Sequence, residues 1–474
     1  MPHRPLESSL LTFLRTALQT HHRFISGTLP RAEAPVYVIG NPAADLDSII
    51  SAIVYSYFAN TTSRRHVPLI NLPHVLAGPE LCRLRPEFVK ALWLSTNASP
   101  NDENAWNETK DSAGPLLREH ILTVADFATH LEARNDSDPT ARVVADAVLV
   151  DWNALPVKSP DGQKGKGGID GLPAVDFTVT GCVDHHIDEH FCAPDIKPLL
   201  ITTTGSCTSL VVQTLGSMGL WSGEDTPASR EEEEEAQLAR LALAPILIDT
   251  TNLTAKHKVK SHDIEAYDFL LRRANTQPNN VHTDMVNNVN DLYSQVSHAK
   301  ENGLDLLTVE EILDHDYKQW TETSPHQPST PLHIGFCSVI KSIPWIVRKA
   351  GSPESFLDSL LAFARKRELG VVVVMTAFVS STHPGRFCRE LLVCALDNGL
   401  ALDTSKSFVS EAASQLGLDE WSGLEDSDEM DQAMMIKQTL NNDKSTWRHI
   451  WAQTDVTKSR KQVAPLLRGA VASL

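Results

Sequence analysis

Val183-Asp184-His185-His186-Ile187-Asp188-Glu189-His190 follows Phe177-Thr178-Val179-Thr180 and a break at Gly181-Cys182. It reads as a short strand whose end carries a carboxylate and two imidazoles in a row. Three such side chains cannot all be buried and unpaired, because stripping them of water is too costly. A polar turn with ordinary hydrogen-bonded histidines would explain this cluster taken alone. Three other apolar runs in the first half also end in aspartate, however. They are Val36-Tyr37-Val38-Ile39-Gly40-Asn41 leading to Asp45 and Asp47, Ala147-Val148-Leu149-Val150-Asp151, and Ala244-Pro245-Ile246-Leu247-Ile248-Asp249. Four strands ending in Asp or His are what an open, mainly parallel sheet presents to a ligand at its C-terminal edge. Oxygen and nitrogen ligands converging there suit two divalent cations.

The totals bound the rest. A chain of 474 residues predicts two or three domains, and 42% hydrophobic residues suffice for large cores. No uninterrupted apolar run reaches membrane-spanning length. The seven cysteines (82, 182, 192, 207, 337, 388 and 394) are odd in number, scattered and never in a CxxC pair. That pattern favours reduced thiols inside a cell over a disulfide framework or a zinc site. A net charge of −18 argues against non-specific nucleic-acid binding, and it requires any polyanionic substrate to meet a locally basic site. From Lys444 onward six Lys or Arg (444, 448, 458, 460, 461, 468) face the single acid Asp455, just after seven acids between Asp419 and Asp431. The basic tail is therefore a candidate anion site.

Along the chain, Leu6, Leu10, Leu14 and Leu18 fall near helical spacing. With three arginines (4, 15 and 23) and Glu7 as the one acid, the first 25 residues fit a mitochondrial presequence or an accessory N-terminal helix; the accessory helix is the reading adopted. From Pro35 strand and helix signals alternate: strands at 36–40, 67–71, 147–150, 177–183 and 244–248, helices at about 48–58 and 207–216. Residues 97–111 and the glycine- and lysine-rich 156–171 read as surface insertions, the latter flexible by composition. Glu231 to Glu235 are acids at a helix start, where they suit the helix dipole. After about 300 the pattern changes: a helix at 304–320, a Ser/Pro/Thr linker at 321–331, strands at 332–340, 370–379 and 389–396, helices at 353–368, 405–416 and 460–470. This predicts a second, smaller α/β domain. The expected divisions are 1–31 for the helical extension, 32–300 and 301–474.

Each strand end has a plain structural reading beside the chemical one. Asp47 or Ser48 could cap a helix, which explains one aspartate of the Asp45/Asp47 pair more easily than both. Asp151 precedes Trp152-Asn153, and a carboxylate shared by two cations lowers the pKa of a water they hold. The hydroxyls of Thr204-Gly205-Ser206-Cys207-Thr208-Ser209 are first of all N-caps.

Taken in order, Asn-x3-Asp-x-Asp-Ser, an Asp at a strand end, Asp-His-His and Ile248-Asp249-Thr250-Thr251-Asn252 resemble the four N-terminal motifs of the DHH phosphoesterases. Ile312-Leu313-Asp314-His315-Asp316-Tyr317-Lys318-Gln319-Trp320, Cys388-Arg389-Glu390-Leu391 and Ser459-Arg460-Lys461-Gln462-Val463-Ala464-Pro465 are similar to the accessory DHHA2 domain. That domain is shared by family II inorganic pyrophosphatases and fungal cytosolic exopolyphosphatases. The likeness spans roughly 35–470. It is nearer the exopolyphosphatases, since Asn41 stands where pyrophosphatases carry a metal-binding histidine.

The resemblance implies an α/β architecture: a parallel-sheet DHH domain, a smaller DHHA2 domain and an active site in the cleft between them. It implies two divalent cations, Mn2+, Mg2+ or Co2+. Asp45 and Asp151 would hold one, with Asn41 as a neutral, hard ligand; Asp47, Asp151, His185 and Asp249 would hold the other. His186 would face substrate, Asp184 would orient a histidine, and Lys318, Arg389, Arg460 and Lys461 would clamp phosphate. For each basic residue the plain alternative is a solvated surface charge. Two features depart from the family pattern, Trp152 after Asp151 and the length of 156–171. The implied activity is a cytoplasmic, monomeric exopolyphosphatase acting on inorganic polyphosphate, without nucleic-acid or membrane partners. The rivals are a pyrophosphatase or nucleotide phosphodiesterase of the same fold, and a non-catalytic interaction protein.

Overall fold

The computed structural model describes residues 8–96, 106–134, 142–159, 162–221, 230–274, 289–397, 399–423, 430–442 and 446–474. Most of the 97–111 insertion, part of the 419–431 acidic run and Lys444 lie outside them. The chain divides into two compact units, Met1–Asp305 and Leu306–Leu474. Among the described residues no helix is long and apolar enough to cross a membrane.

The first unit is built on seven strands: β1 (Val36–Ile39), β2 (His66–Leu69), β3 (Val143–Val150), β4 (Val157–Lys158), β5 (Lys166–Gly168), β6 (Val175–Asp184) and β7 (Leu199–Ile201). Their order is β2-β1-β3-β6-β5-β4, with β7 also on β6. The β2, β1, β3, β6 and β7 pairings are parallel, which sets the C-terminal ends of β1, β3 and β6 side by side. Successive side chains alternate between two cores, as the period of a strand demands. Val36, Val38, Val148, Val150 and Val183 enter one cluster; Tyr37, Ile39, Ala147, Leu149 and Cys182 enter the other. A bulge between Ala147 and Val148 lets β6 gain a residue at Thr180, so that Ala147 pairs Val179 and Val148 pairs Gly181.

Four sequence expectations are corrected here. The run 244–248 is not a strand but the end of the helix Arg230–Asp249. Leu238, Ala239, Leu241, Ala242, Leu243, Ala244, Ile246 and Leu247 are all buried there, and a helix buried on every side shows no period to set it apart from a buried strand. The helix expected over 304–320 is reduced to Val309–His315 and followed by β8 (Tyr317–Ser324). The 321–331 segment is no linker: it lies in a hairpin of β8 with β9 (Gln327–Val339), with Thr323 opposite Pro331. Residues 156–171 are not simply a flexible loop, since they contain β4 and β5, and β5 runs antiparallel to β6. A Cβ on Gly167 would fall 2.2 Å from the Val157 carbonyl oxygen, so the glycine here serves close strand approach.

The second unit continues with β10 (Val371–Thr376), β11 (Phe378–Val379), β12 (Phe387–Cys388), β13 (Glu390–Ala395), β14 (Leu418–Glu420) and β15 (Arg448–Gln453). Its main sheet has the order β14-β15-β13-β10-β9-β8 and is mixed: β9 and β10 are parallel, the other neighbours antiparallel. Helices Leu400–Leu416 and Arg460–Ala472 share one core with this sheet.

The N-terminal helix Ser9–Ile25 is part of the first unit's interior. Leu10 and Leu14 are fully buried in one core, and Ala17, Leu18 and Ile25 enter the other. Leu14→Ala is therefore expected to lower stability by about 2–5 kcal/mol, read as a fall in the urea midpoint at unchanged slope.

Candidate functional site

The turn from β1 into the helix Leu46–Ala59 is fixed by close packing. A Cβ on Gly40 would lie 2.8 Å from Ser48 Cβ. Ala44 has φ +43°, a left-handed conformation that costs an L-residue about 1 kcal/mol. The buried Arg85 holds it there, with Nε donating to Ala44 O at 2.7 Å and Nη2 to Ala43 O at 2.5 Å. Asp45 then caps the helix, accepting from Ser48 N at 3.0 Å.

Asp151 stands at the end of β3 with φ +55° and is 2% exposed. Its Oδ2 accepts from Asn41 Nδ2 at 2.6 Å and from Ser48 Oγ at 2.7 Å. Its Oδ1 lies 3.0 Å from His185 Nε2 and 3.6 Å from His186 Nδ1. The resemblance implied the Asn41 amide oxygen as a metal ligand. In the structure that oxygen accepts from Ala43 N at 2.8 Å, while Nδ2 meets both the carboxylate and, at 3.2 Å, the backbone oxygen of Asp151. Only an NH2 group can face two acceptors, so the amide orientation is determined and Asn41 positions Asp151.

At the end of β6, Asp184 is fully buried. Its Oδ1 accepts from His185 N and from His186 Nδ1, both at 2.7 Å, and its Oδ2 accepts from Asn153 Nδ2. Asn153 Oδ1 in turn accepts from Glu189 N at 2.9 Å, tying the residues after the strand back to the turn after β3. Asp151, His185 and His186 bring one possible ligand atom each within 4.8 Å of one another.

Asp47 is held by the N-terminus of the helix Cys207–Ser217. Its Oδ1 accepts from Ser206 Oγ at 2.8 Å, Thr208 N at 2.9 Å and Thr208 Oγ1 at 2.7 Å; its Oδ2 accepts from Cys207 N at 2.6 Å and lies 4.0 Å from His185 Nε2. The expectation that this turn's hydroxyls cap their own helix is thus corrected for Ser206 and Thr208: a distant carboxylate does the capping, where a helix end favours negative charge. Asp263 grips the same turn from the other side, accepting from Gly205 N at 2.9 Å, Ser206 N at 3.2 Å and Ser209 Oγ at 2.8 Å. Cys207 lies among these acids, donating to Val183 O at 3.2 Å; burial and the charges of Asp47, Asp151 and Asp184 push its thiol well up, so it stays protonated.

Asp249 arrives from a helix end rather than a strand end. Desolvation, then the negative charges of Asp47 and Asp45, hold its carboxyl well above the ordinary range. The charges of Asp47 and Asp45 are thus felt at Asp249. The Asp151 oxygen with the His185 and His186 nitrogens, and an Asp47 oxygen 4.0 Å from His185, are a donor set that fits a divalent cation.

The four basic candidates lie in the second unit. Arg389 is buried, donates from Nε to Val456 O at 2.9 Å, and sits 5.3 Å from the Phe387 ring centre. Burial lowers its pKa to about 10, which leaves it charged at neutral pH. Arg460 opens the helix Arg460–Ala472 and turns its fork onto Asp316, with Nη1 to the backbone oxygen at 2.8 Å and Nη2 to Oδ1 at 2.7 Å. Lys461 follows it, half-buried, and Lys318 is half-buried on β8. The Arg460–Asp316 pair joins the start of that helix to the residue preceding β8.

Sequence reading missed Arg85, Ser48 as a partner of Asp151, Asn153 and Asp263. Only Asn153 offered a cue, by following Asp151 closely.

Residues 294–470 match the DHHA2 domain family. The chain is 27% identical over 448 residues to a Schizosaccharomyces pombe protein provisionally named an exopolyphosphatase, covering 94% of this chain and 93% of that protein. Among solved structures, a Methanococcus jannaschii protein provisionally described as a family II inorganic pyrophosphatase is similar over 92% of this chain and 98% of its own, with TM-score 0.48 and 17% identity. A Bacteroides fragilis exopolyphosphatase-related protein is similar over 96% of both chains, with TM-score 0.35 and 11% identity.

Because Asn41 acts on Asp151, Asn41→Ala is expected to weaken divalent-cation binding by about 10–100-fold. Asn41→His, which also removes the amide from Asp151, is expected to bring no tightening for manganese. Calorimetric titration of the three proteins checks both.

Proposed function

We propose that this chain, a DHH-superfamily, exopolyphosphatase-like protein by its DHHA2 domain and its Schizosaccharomyces pombe relative, releases terminal phosphate from linear inorganic polyphosphate. The observation that carries the reading is the approach of Asp151, His185 and His186 to one another at the ends of β3 and β6, with an Asp47 oxygen 4.0 Å from His185 Nε2. Two divalent cations suit the site: Asp45 and Asp151 for one, Asp47, Asp151, His185 and Asp249 for the other. Manganese, magnesium and cobalt are the candidates. When bound, such ions activate water and offset the charge of phosphate.

The chain's own side chains supply the rest. Asn41 and Ser48 keep Asp151 aimed with one oxygen toward His185. Asp184 takes the Nδ1–H of His186, which orients the ring; in the imidazolium form Nε2–H gives its proton to the departing phosphate oxygen and the ring is left neutral with Nδ1–H still on Asp184. Arg389, Lys318, Arg460 and Lys461 provide the positive charge that a chain of net charge −18 needs to hold a polyanion. Arg460 does so with its fork already braced by Asp316. The odd number and scattered spacing of the seven cysteines suit a reducing, cytoplasmic setting.

The test is orthophosphate release from polyphosphates of defined length and from pyrophosphate, with magnesium, manganese and cobalt compared. Release from long chains with little from pyrophosphate is expected; the reverse would make the protein a pyrophosphatase, and no release with any metal would make it a non-catalytic protein. His186→Gln is expected to lower kcat by about 10²–10⁴-fold, while Asp151→Ala and His185→Ala remove nearly all turnover in protein that remains folded.

A further inference from the structure

Two thiols that the proposed chemistry does not use bracket Asp184-His185-His186. Cys182 lies two residues before Asp184 on β6, and Cys192 follows the segment that leaves the strand. Both reach the turn just after Asp151: Cys182 Sγ donates to Trp152 O and Cys192 Sγ to Asn153 O, each at 3.5 Å. The two thiols thus meet consecutive carbonyl oxygens of one turn. We propose that Cys182 and Cys192 are an oxidation site, at which a hydroperoxide forms a disulfide that closes a ring around residues 183–191 and disturbs the Asp184–His186 strand end.

The pair is chemically unequal. Cys182 is fully buried, whereas Cys192 keeps 8% exposure. Side-chain interaction between the two holds the Cys192 thiol below its ordinary range and pushes the Cys182 thiol well up, with burial adding to the latter. Cys192 is thus the attacking sulfur. Its thiolate takes the distal oxygen of the hydroperoxide as the O–O bond breaks; an alcohol, or water from hydrogen peroxide, leaves, and the sulfur becomes a sulfenic acid. Cys182 Sγ then attacks that sulfur, the S–S bond forms, the S–O bond breaks, and water departs with the Cys182 proton. Each disulfide consumes one hydroperoxide.

The structural consequence follows from what the thiols hold. Once joined, neither sulfur has a proton to donate to Trp152 O or Asn153 O. Asn153 is the residue whose amide supports Asp184 and the backbone at Ile187 and Glu189. Moving it loosens the carboxylate that accepts from the backbone N of His185, a proposed cation ligand, and that orients His186.

The experiment treats the reduced full-length protein with hydrogen peroxide, blocks the remaining thiols and maps linked peptides by mass spectrometry. The expected result is one Cys182–Cys192 peptide, two of the seven thiols lost, reversal by dithiothreitol, and no linkage in Cys192→Ser. Manganese titration of the oxidised protein is expected to show at least tenfold weaker binding than the reduced protein, with Cys192→Ser indifferent to peroxide. Absence of that peptide, or its formation with cation binding unchanged, overturns the proposal. The effect on cation binding rests on the metal reading above, whereas the mapping needs no turnover. Failure of phosphate release in the reduced protein is thus told apart from failure of the thiol pair.

Discussion

Four carboxylates, Asp47, Asp151, Asp184 and Asp263, are buried to 3% exposure or less within one region of the first unit. Each would be intolerable there without donors, since an unpaired buried charge costs several kcal/mol. The local structure is largely the supply of those donors. A helix N-terminus serves Asp47, an amide and a hydroxyl serve Asp151, and an amide and an imidazole serve Asp184. Asp263 collects the backbone N–H groups of the turn that serves Asp47. One oxygen of Asp151 and one of Asp47 nevertheless approach His185. Stability and chemistry thereby draw on the same network: the bonds that make burial tolerable also aim the oxygens that remain.

The strand ends were legible because β3 and β6 run into an acid directly and β1 reaches Asp45 after one short turn. Parallel pairing then brings those stops together without further instruction. Asp249 was recognised as a member of the set while its element was misread. A helix with apolar residues on all sides has no amphipathic period to set it apart from a buried strand. The 321–331 segment was misread for the opposite reason, since an edge hairpin rich in Thr and Pro carries too little apolar alternation to announce strands.

What was not legible depends on partners distant in the chain. The Asn41 amide turns toward a residue 110 positions away, and Asp47 is capped by a helix about 160 positions on. Arg85 braces a turn some forty residues before it. No local pattern encodes these pairings, because what selects each is the donor or acceptor left unsatisfied once the sheet has formed. The basic tail was visible as charge, but the engagement of Arg460 by Asp316 was not.

The extra residue at Thr180 has a consequence for how this chain can vary in length. Side chains on a strand change face with every residue, so a single deletion between the bulge and Asp184 would exchange inward and outward positions for all that follow. Val183 would leave its core, and the acid and imidazoles would be presented on reversed faces. A change of two residues would restore the facing but shorten the strand relative to β3. The tip of the β8–β9 hairpin meets no such parity condition from a buried centre. Tolerance to insertion and deletion is therefore expected to be uneven across the chain: lowest over 180–186, and greater where strands turn back in solvent.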